Sequence, residues 1–397
     1  MARTAVLGFP RVGADRELKL ALEAHWAGRL APEELQATAR TLRAQHLGRS
    51  RQAGIDVLPV GDHALYDHVL DAAELVGIVA ERHGGANDDD GTVVDSADAL
   101  RRHFLACRGD ASTTPLEMTK WLDTNYHYLV PELAADQTFR LRPARWLAHL
   151  AEAREVASPD ETLRPVVLGP LSLLLLAKPA EGAGEVDRLA LLEPLTAVYG
   201  ELLDRLAAEG VTEVQLDEPV LVLDRTDAEL DAFARAYGAL AAGTDRPGIA
   251  LATYFDRLDE RTLARIGGLR LAELHVDLVR APDQLDAVLD ALPGTTRLSA
   301  GVVDGRNVWA TDMDRALDRL DRIVARIGSD RLTIAPSCSL LHVPYRASRE
   351  TGLDDELRSW LAFGEEKLDE LALLQRALDA DAAGRDALLA DARARTS

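Results

Sequence analysis

Eight short apolar runs recur along the 397-residue chain, and segments with helical periodicity separate them. Runs that are apolar at nearly every position are typical of strands buried on both faces, as in parallel sheets. Eight strand–helix repeats predict an α/β fold, a single (β/α)8 TIM barrel. The predicted strands lie near residues 4–8, 55–60, 165–169, 213–217, 249–254, 273–278, 297–302 and 332–335.

Two segments do not fit a plain repeat. About a hundred residues, far more than one helix needs, separate the second predicted strand from the third. We therefore predict an insertion at about 63–163, and we expect its aromatic-rich part, 116–131, to cover the carboxyl ends of the strands. A C-terminal helical segment is predicted at about 354–393. No Gly/Ser-rich linker divides the chain, so we predict one domain, 1–397.

Charge and hydropathy exclude several classes of protein. The formal net charge of −21 argues against a nucleic-acid partner, because phosphate binding needs a basic face. No apolar run approaches the 18 or so residues of a membrane-spanning helix. The two cysteines, Cys107 and Cys338, are too few for a disulfide scaffold and favour a reducing, cytoplasmic location.

A basic loop follows the first predicted strand. Arg11, Arg16 and Lys19 lie there, and we expect Asp15 to cap a helix that begins near Arg16. Three cations beside a helix N-terminus favour an anion. A solvated basic turn is the alternative interpretation.

Polar residues at the carboxyl ends of barrel strands are the candidates for chemistry. The catalytic candidates are Asp217, Glu218, His275, Asp277 and Cys338. Glu218 could instead accept hydrogen bonds from backbone N–H groups, as buried carboxylates often do. His275, Asp277, Cys338 and His342 could ligate zinc, but their spacing is not that of a zinc site, and we do not expect a metal on this chain. Phosphate-binding and dinucleotide-binding glycine motifs are not found.

Several long stretches carry a resemblance to a known family. LGFPRVGADRELK, QAGIDVLPVGDHALYDHVL, EMTKWLDTNYHYLVPEL, VQLDEPVLVL, LSAGVVDGRNVW and SCSLLH occur in this order. Together they resemble the N-terminal half of cobalamin-independent methionine synthase, from about residue 7 to 374. The resemblance implies a barrel that helps to bind 5-methyltetrahydrofolate polyglutamate, whose methyl group the family transfers to homocysteine. The tail-binding residues that it implies are Arg16, Glu17, Leu18, Lys19 and Lys120.

The same resemblance implies that the zinc and homocysteine sites belong to a second, C-terminal barrel. At the strand ends equivalent to the zinc ligands, this chain has Thr253, Tyr254 and Phe255, then Asp277, then Cys338. Only the cysteine matches, so no zinc site is implied here. Without zinc to hold the homocysteine thiolate, we expect no methionine synthesis by this chain alone. Whether it is an enzyme by itself stays open.

Three functions remain after this comparison. The favoured one is a folate-binding barrel that supports methyl transfer together with a separate C-terminal-type barrel. A stand-alone barrel enzyme that uses the strand-end acids for another reaction is the first alternative. A non-catalytic folate-binding or scaffolding protein is the second, and the chain could also be a piece of a longer enzyme.

Overall fold

Eight parallel strands form the barrel in the computed structural model, which describes residues 1–84 and 97–396. The strands pair in chain order from the second to the eighth, and the first pairs with the eighth. A bridge between Ala5 and Val57 joins the first strand to the second and closes the barrel. The strands are β1 Arg3–Thr4, β2 Val57–Val60, β3 Thr162–Leu168, β4 Glu213–Asp217, β5 Gly248–Ala252, β6 Glu273–Asp277, β7 Arg297–Val303 and β8 Leu332–Pro336. The predicted α/β barrel is confirmed.

Helices surround this barrel. They are α1 Glu17–Trp26, α2 Pro32–Ala53, α3 His68–Leu75, α4 Ala97–Arg108, α5 Ala144–Val156, α6 Pro170–Leu176, α7 Leu192–Ala208, α8 Asp227–Leu240, α9 Glu260–Ile266, α10 Leu285–Ala291, α11 Met313–Ile327, α12 Asp355–Ser359, α13 Gly364–Asp379 and α14 Ala382–Thr396. The last three correct the prediction of one helical segment. The chain leaves the helical conformation after α12, and Ala380 is extended between α13 and α14.

The long insertion after β2 is present, and α3, α4 and α5 belong to it. It also holds an antiparallel hairpin, in which Met118–Lys120 pairs with His127–Leu129. Residues 85–96, part of the predicted insertion, lie outside the described residues. Leu18 of α1, Leu35 of α2 and Phe104 of α4 share a second apolar core, separate from the core of the barrel. The insertion is therefore packed against the first two helices.

Paired charges close the amino end of the barrel. Arg3, at the start of β1, contacts Glu213 and Glu273, each at 2.8 Å, and Arg164 contacts Glu273 at 2.8 Å. Burial opposes ionisation of Glu273, but the two arginines outweigh it and lower its pKa to about 2. Because this end is filled by ion pairs, the carboxyl ends of the strands form the mouth of the barrel.

Candidate functional site at the barrel mouth

The hairpin of the insertion reaches across the mouth, as expected. Asp123 lies in its turn and accepts a hydrogen bond from Arg280 at 2.8 Å. Arg306 also contacts this carboxylate, at 3.4 Å. The two arginines follow β6 and β7, so these ion pairs fasten the hairpin to the far side of the mouth. Sequence reasoning missed them, because nothing local links Asp123 to a partner 157 residues away.

Backbone strain is concentrated around this mouth. Among the described residues, three that are not glycine have positive φ: Arg16 at 63°, Leu122 at 47° and Phe255 at 83°. Each lies in a segment that borders the mouth: the loop before α1, the turn of the hairpin or the loop after β5. A left-handed conformation costs about 1 kcal/mol or more for such residues. The surrounding contacts must hold these turns in place.

A groove of about 370 Å³ opens beside the hairpin. Arg11 and Lys19 line it, together with Met118 and His127 from the two strands of the hairpin. Lys120 pairs with His127 in the hairpin, next to this wall. The structure therefore brings the basic loop after β1 close to the stretch that contains Lys120, although 101 positions separate Lys19 from Lys120 in the sequence. We call this the anion groove.

The basic residues near the anion groove face solvent. Lys19 is about half exposed and lies 3.8 Å from Glu23. Lys120 is exposed, and within the described part of the chain its ammonium makes no ion pair. Arg16 is exposed one turn before Lys19, so both can project from the same side of α1. Arg11 is half-buried, with its guanidinium 5.5 Å from the ring centroid of Tyr126.

The two residues between Arg16 and Lys19, Glu17 and Leu18, stabilise the local fold. Leu18 is buried in the second core. The Glu17 carboxylate accepts a hydrogen bond from the backbone N–H of Asp15 at 3.0 Å. The expected cap by Asp15 is wrong: Arg16 occupies the N-cap position, no side chain caps α1, and Asp15 pairs with Arg349 instead. Arg16 has a left-handed backbone conformation, in which the chain before α1 lacks the extended geometry of a side-chain cap.

The strand-end acids of β4 are held by internal donors. Glu218 is fully buried and accepts hydrogen bonds from the N–H groups of Leu171 and Ser172 and from the Tyr237 hydroxyl, at 2.7–3.0 Å. Glu218 thus accepts hydrogen bonds from the free backbone N–H groups at the N-terminus of α6. This is the structural role that the sequence analysis gave as the alternative to catalysis. Asp217 accepts from Gln215 at 2.7 Å and from Tyr254 at 3.1 Å. Burial raises the pKa of both carboxyls to about 7.

The remaining catalytic candidates are equally engaged. His275 uses both ring nitrogens, with Ser299 Oγ at 2.9 Å and the Ser337 carbonyl at 3.2 Å. Asp277 accepts three backbone N–H bonds at 2.8–3.2 Å, and burial raises its pKa to about 6. Cys338 is buried, and burial raises the pKa of its thiol well above the usual range. Cys338 is therefore not poised as a thiolate, and His275 has no free ring nitrogen.

These donors do not fit a zinc site. At the equivalent strand ends, the Thr253 hydroxyl donates to the His275 carbonyl, the Tyr254 hydroxyl donates to Asp217, and Phe255 is apolar. Of the residues at these strand ends, only Asp277 and Cys338 could ligate zinc. Asp277 accepts three backbone hydrogen bonds, and Cys338 is buried. A four-coordinate zinc site needs at least three protein ligands.

One other cluster has the composition of a metal site. Within the described residues, Asp71, Glu74 and His103 bring one possible ligand atom each within 4.8 Å of one another. The cluster already contains cations, because Arg145 contacts both carboxylates and His103 lies 3.0 Å from Glu74. Burial opposes ionisation of Glu74, but His103 and Arg145 outweigh it and lower its pKa to about 2. The cluster is an ion-pair network that joins α3, α4 and α5.

Three buried imidazoles lie behind β2. His46 of α2, His63 after β2 and His149 of α5 line a cavity of about 70 Å³. Within the described residues, His46 Nε2, both nitrogens of His63 and His149 Nδ1 have no hydrogen-bond partner. Burial lowers the pKa of all three, that of His46 to about 3. They are neutral at physiological pH.

The fold and the site define a class: a (β/α)8 barrel whose mouth is covered by an inserted hairpin with a cationic groove beside it. Residues 3–328 match the family model for the N-terminal domain of cobalamin-independent synthase. The chain belongs to the cobalamin-independent methionine synthase family and matches its N-terminal domain. Within 1–84 and 97–396, no helix has the length and apolar character that crossing a membrane requires.

Curated relatives agree with this assignment. The chain is 48% identical over 377 residues to a 5-methyltetrahydropteroyltriglutamate–homocysteine methyltransferase of Xylella fastidiosa strain M23. It is 48% identical over 390 residues to the protein of the same name from Chelativorans sp. strain BNC1. These alignments cover 94% and 95% of this chain but 48% of each relative. The chain thus spans about half the length of the curated relatives that it matches.

Solved structures support the fold. A B12-independent methionine synthase from Shewanella sp. W3-18-1 superposes with a TM-score of 0.63 at 15% identity, over 99% of both chains. A putative B12-independent methionine synthase from Listeria monocytogenes gives 0.60 at 10% identity, over 96% of this chain and all of the other. At such low identity the likeness concerns the fold alone.

Proposed function

We propose that this chain is the folate-binding barrel of a cobalamin-independent methionine synthase. In this proposal it binds 5-methyltetrahydrofolate through the polyglutamate tail and supports methyl transfer to homocysteine together with a C-terminal-type barrel. Arg16, Lys19 and Lys120 hold the tail carboxylates, while Glu17 and Leu18 shape the turn that presents them. The names of the full-length relatives, which specify a triglutamate folate, support this substrate.

The anion groove is the observation that carries the proposal. Lys19 lines it, and Lys120 lies opposite His127 in the hairpin that forms one wall; both side chains are exposed, in a chain whose formal charge is −21. A polyanion is repelled by such a chain as a whole, so binding requires a local concentration of cations. A carboxylate tail that lies in this groove meets the cations without displacing an internal partner of Lys120.

The engagement of Glu218, Asp277 and His275 supports a binding role for this barrel over an independent reaction. Glu218 and Asp277 each accept backbone N–H bonds, and His275 has no free ring nitrogen. A stand-alone enzyme needs a general base or a nucleophile with a free reacting atom. Zinc is not part of the proposal for this chain. A cytoplasmic location is part of it, and the two buried free thiols, Cys107 and Cys338, are consistent with that location.

Calorimetric titration tests the role of the tail. We expect Lys120→Gln to weaken binding of 5-methyltetrahydrofolate triglutamate about fivefold, the effect of one partly exposed ion pair. Binding of the monoglutamate, which has fewer tail carboxylates, should fall less than twofold. Arg315→Gln on α11, a change of equal charge at a side chain that is 78% exposed, is the matched control. Equal losses for both folates would refute the assignment of Lys120.

A turnover assay tests the need for a partner. We expect no methionine from the purified chain with homocysteine and the triglutamate folate. Methionine should form when a zinc-loaded C-terminal barrel from a curated relative is added. Turnover by this chain alone would favour the stand-alone enzyme.

A further inference from the structure

A second groove continues from the anion groove along the outside of α4. It has a volume of about 530 Å³, and Trp26 lines both grooves. Lys19 and Trp26 are seven residues apart on α1, so they lie on one face with a rise of about 10 Å between them. The path from Lys19 to the second groove therefore follows one side of a single helix.

The second groove is also cationic. Arg101 and Arg108 line it, again seven residues apart on one helix face, about 10 Å along α4. Both side chains are exposed, and within the described residues neither forms an ion pair. Asp110 is the carboxylate in the lining, and its Oδ1 already accepts hydrogen bonds from Ser112 and Thr113. The groove thus presents two positive charges against one carboxylate, an excess of one positive charge among these three residues.

Trp26 joins the two grooves and orders the second. The Arg108 guanidinium lies 4.0 Å from the centroid of the indole, a cation–π contact that fixes the side chain and leaves its N–H edge available. Within the described residues, the buried indole Nε1 of Trp26 has no hydrogen-bond partner. A carboxylate at this point could accept from the N–H edge of Arg108.

We propose that the second groove binds the distal glutamates of folates whose tails are longer than three residues. This inference rests on the proposed function, since the anion groove holds the first part of the tail. Each γ-linked glutamate extends the tail by roughly 6 Å, so the α4 face between Arg101 and Arg108, about 10 Å long, accommodates about two further units. The barrel would then discriminate between folates by tail length.

The test compares tails of three and six glutamates by calorimetry at low salt. The probes are 5-methyltetrahydrofolate triglutamate and hexaglutamate, and free γ-linked triglutamate and hexaglutamate peptides. We expect the hexaglutamate forms to bind about three- to tenfold more tightly, the combined effect of two exposed ion pairs. In Arg101→Gln/Arg108→Gln this ratio should fall to near one. Arg315→Gln/Arg322→Gln, with the same change of net charge on exposed α11 side chains, should retain it.

The outcomes separate this inference from the proposed function. Tail-dependent binding of the triglutamate folate with no gain from three to six glutamates would overturn the inference alone. A gain that survives Arg101→Gln/Arg108→Gln would overturn the assignment to the second groove. If the folates do not bind but the free hexaglutamate binds in a way that requires these arginines, the proposed function fails and the polyanion site stands. No binding of any probe would overturn both.

Discussion

His46 should make the stability of this protein depend on pH in a way that can be isolated. Its ring is buried against Phe9 and His63, with centroid distances of 5.1 and 5.5 Å. Burial, with a further contribution from Arg43, lowers its pKa from 6.5 to about 3. The unfolded chain therefore binds a proton below pH 6.5 that the folded chain excludes. Because protons bind preferentially to the unfolded state, this group reduces stability as the pH falls.

The magnitude follows from the two pKa values. At pH 7 the imidazole is mostly neutral in both states, and its contribution to the free energy of unfolding is close to zero. At pH 5 the unfolded state gains about 2 kcal/mol from protonation, a value that changes little if the folded pKa is 2 or 4. Replacing His46 removes this term. The stability of the variant relative to the native chain should therefore rise by about 2 kcal/mol between pH 7 and pH 5.

Urea unfolding of His46→Leu and of the native chain at pH 7, 6 and 5 measures this difference. The comparison removes the contributions of other buried groups, such as Asp217, whose raised pKa acts in the opposite direction. His46→Gln is the control for packing, because glutamine differs from leucine in shape but, like leucine, has no titratable group. Both variants should show the same change with pH. A difference that is independent of pH would refute the reasoning.

Two further changes test the contacts at the mouth. Glu218→Ala should lower the free energy of unfolding by about 3 kcal/mol or more in urea titrations, because three buried donors lose their acceptor; a loss below 1 kcal/mol would contradict this role. Asp123→Asn should speed amide exchange in residues 118–129, since the hairpin loses its ion pairs with Arg280 and Arg306, while global stability changes by less than about 1 kcal/mol. Unchanged exchange would show that other contacts hold the hairpin.

The sequence predicted the barrel because its signal is local. Strands such as β4 and β6 are apolar at the positions that face the helices, and the helices between them repeat at the helical period, so each element can be recognised without its neighbours. The bounds of the first strand and of the C-terminal helices were less predictable. β1 is shorter than predicted, and the C-terminal segment is broken at Ala380, because the backbone turns there depend on tertiary packing.

The site was predictable where a cluster of charge lies within one segment. Arg16 and Lys19 were proposed from the basic loop, Lys120 was assigned only through the resemblance, and the binding role of all three stays a prediction. The link between Asp123 and Arg280 could not be read, because a pair 157 residues apart carries no local pattern. The failed prediction for Asp15 has the same origin: its carboxylate pairs with Arg349, 334 residues away, and tertiary pairing overrides a local cap.

The acids of this barrel argue for a division of labour within the proposed enzyme. Asp62 accepts from the Phe9 N–H at 2.9 Å, Glu218 satisfies the start of α6, and Asp277 holds the loops after β5 and β6. A carboxylate used in this way cannot take up a substrate proton without weakening bonds that shape the mouth. The cations of the anion groove are instead exposed, and on the proposed function they attract an anionic tail. On the proposed function, this barrel contributes affinity for the folate tail, and the reacting groups must come from the other barrel.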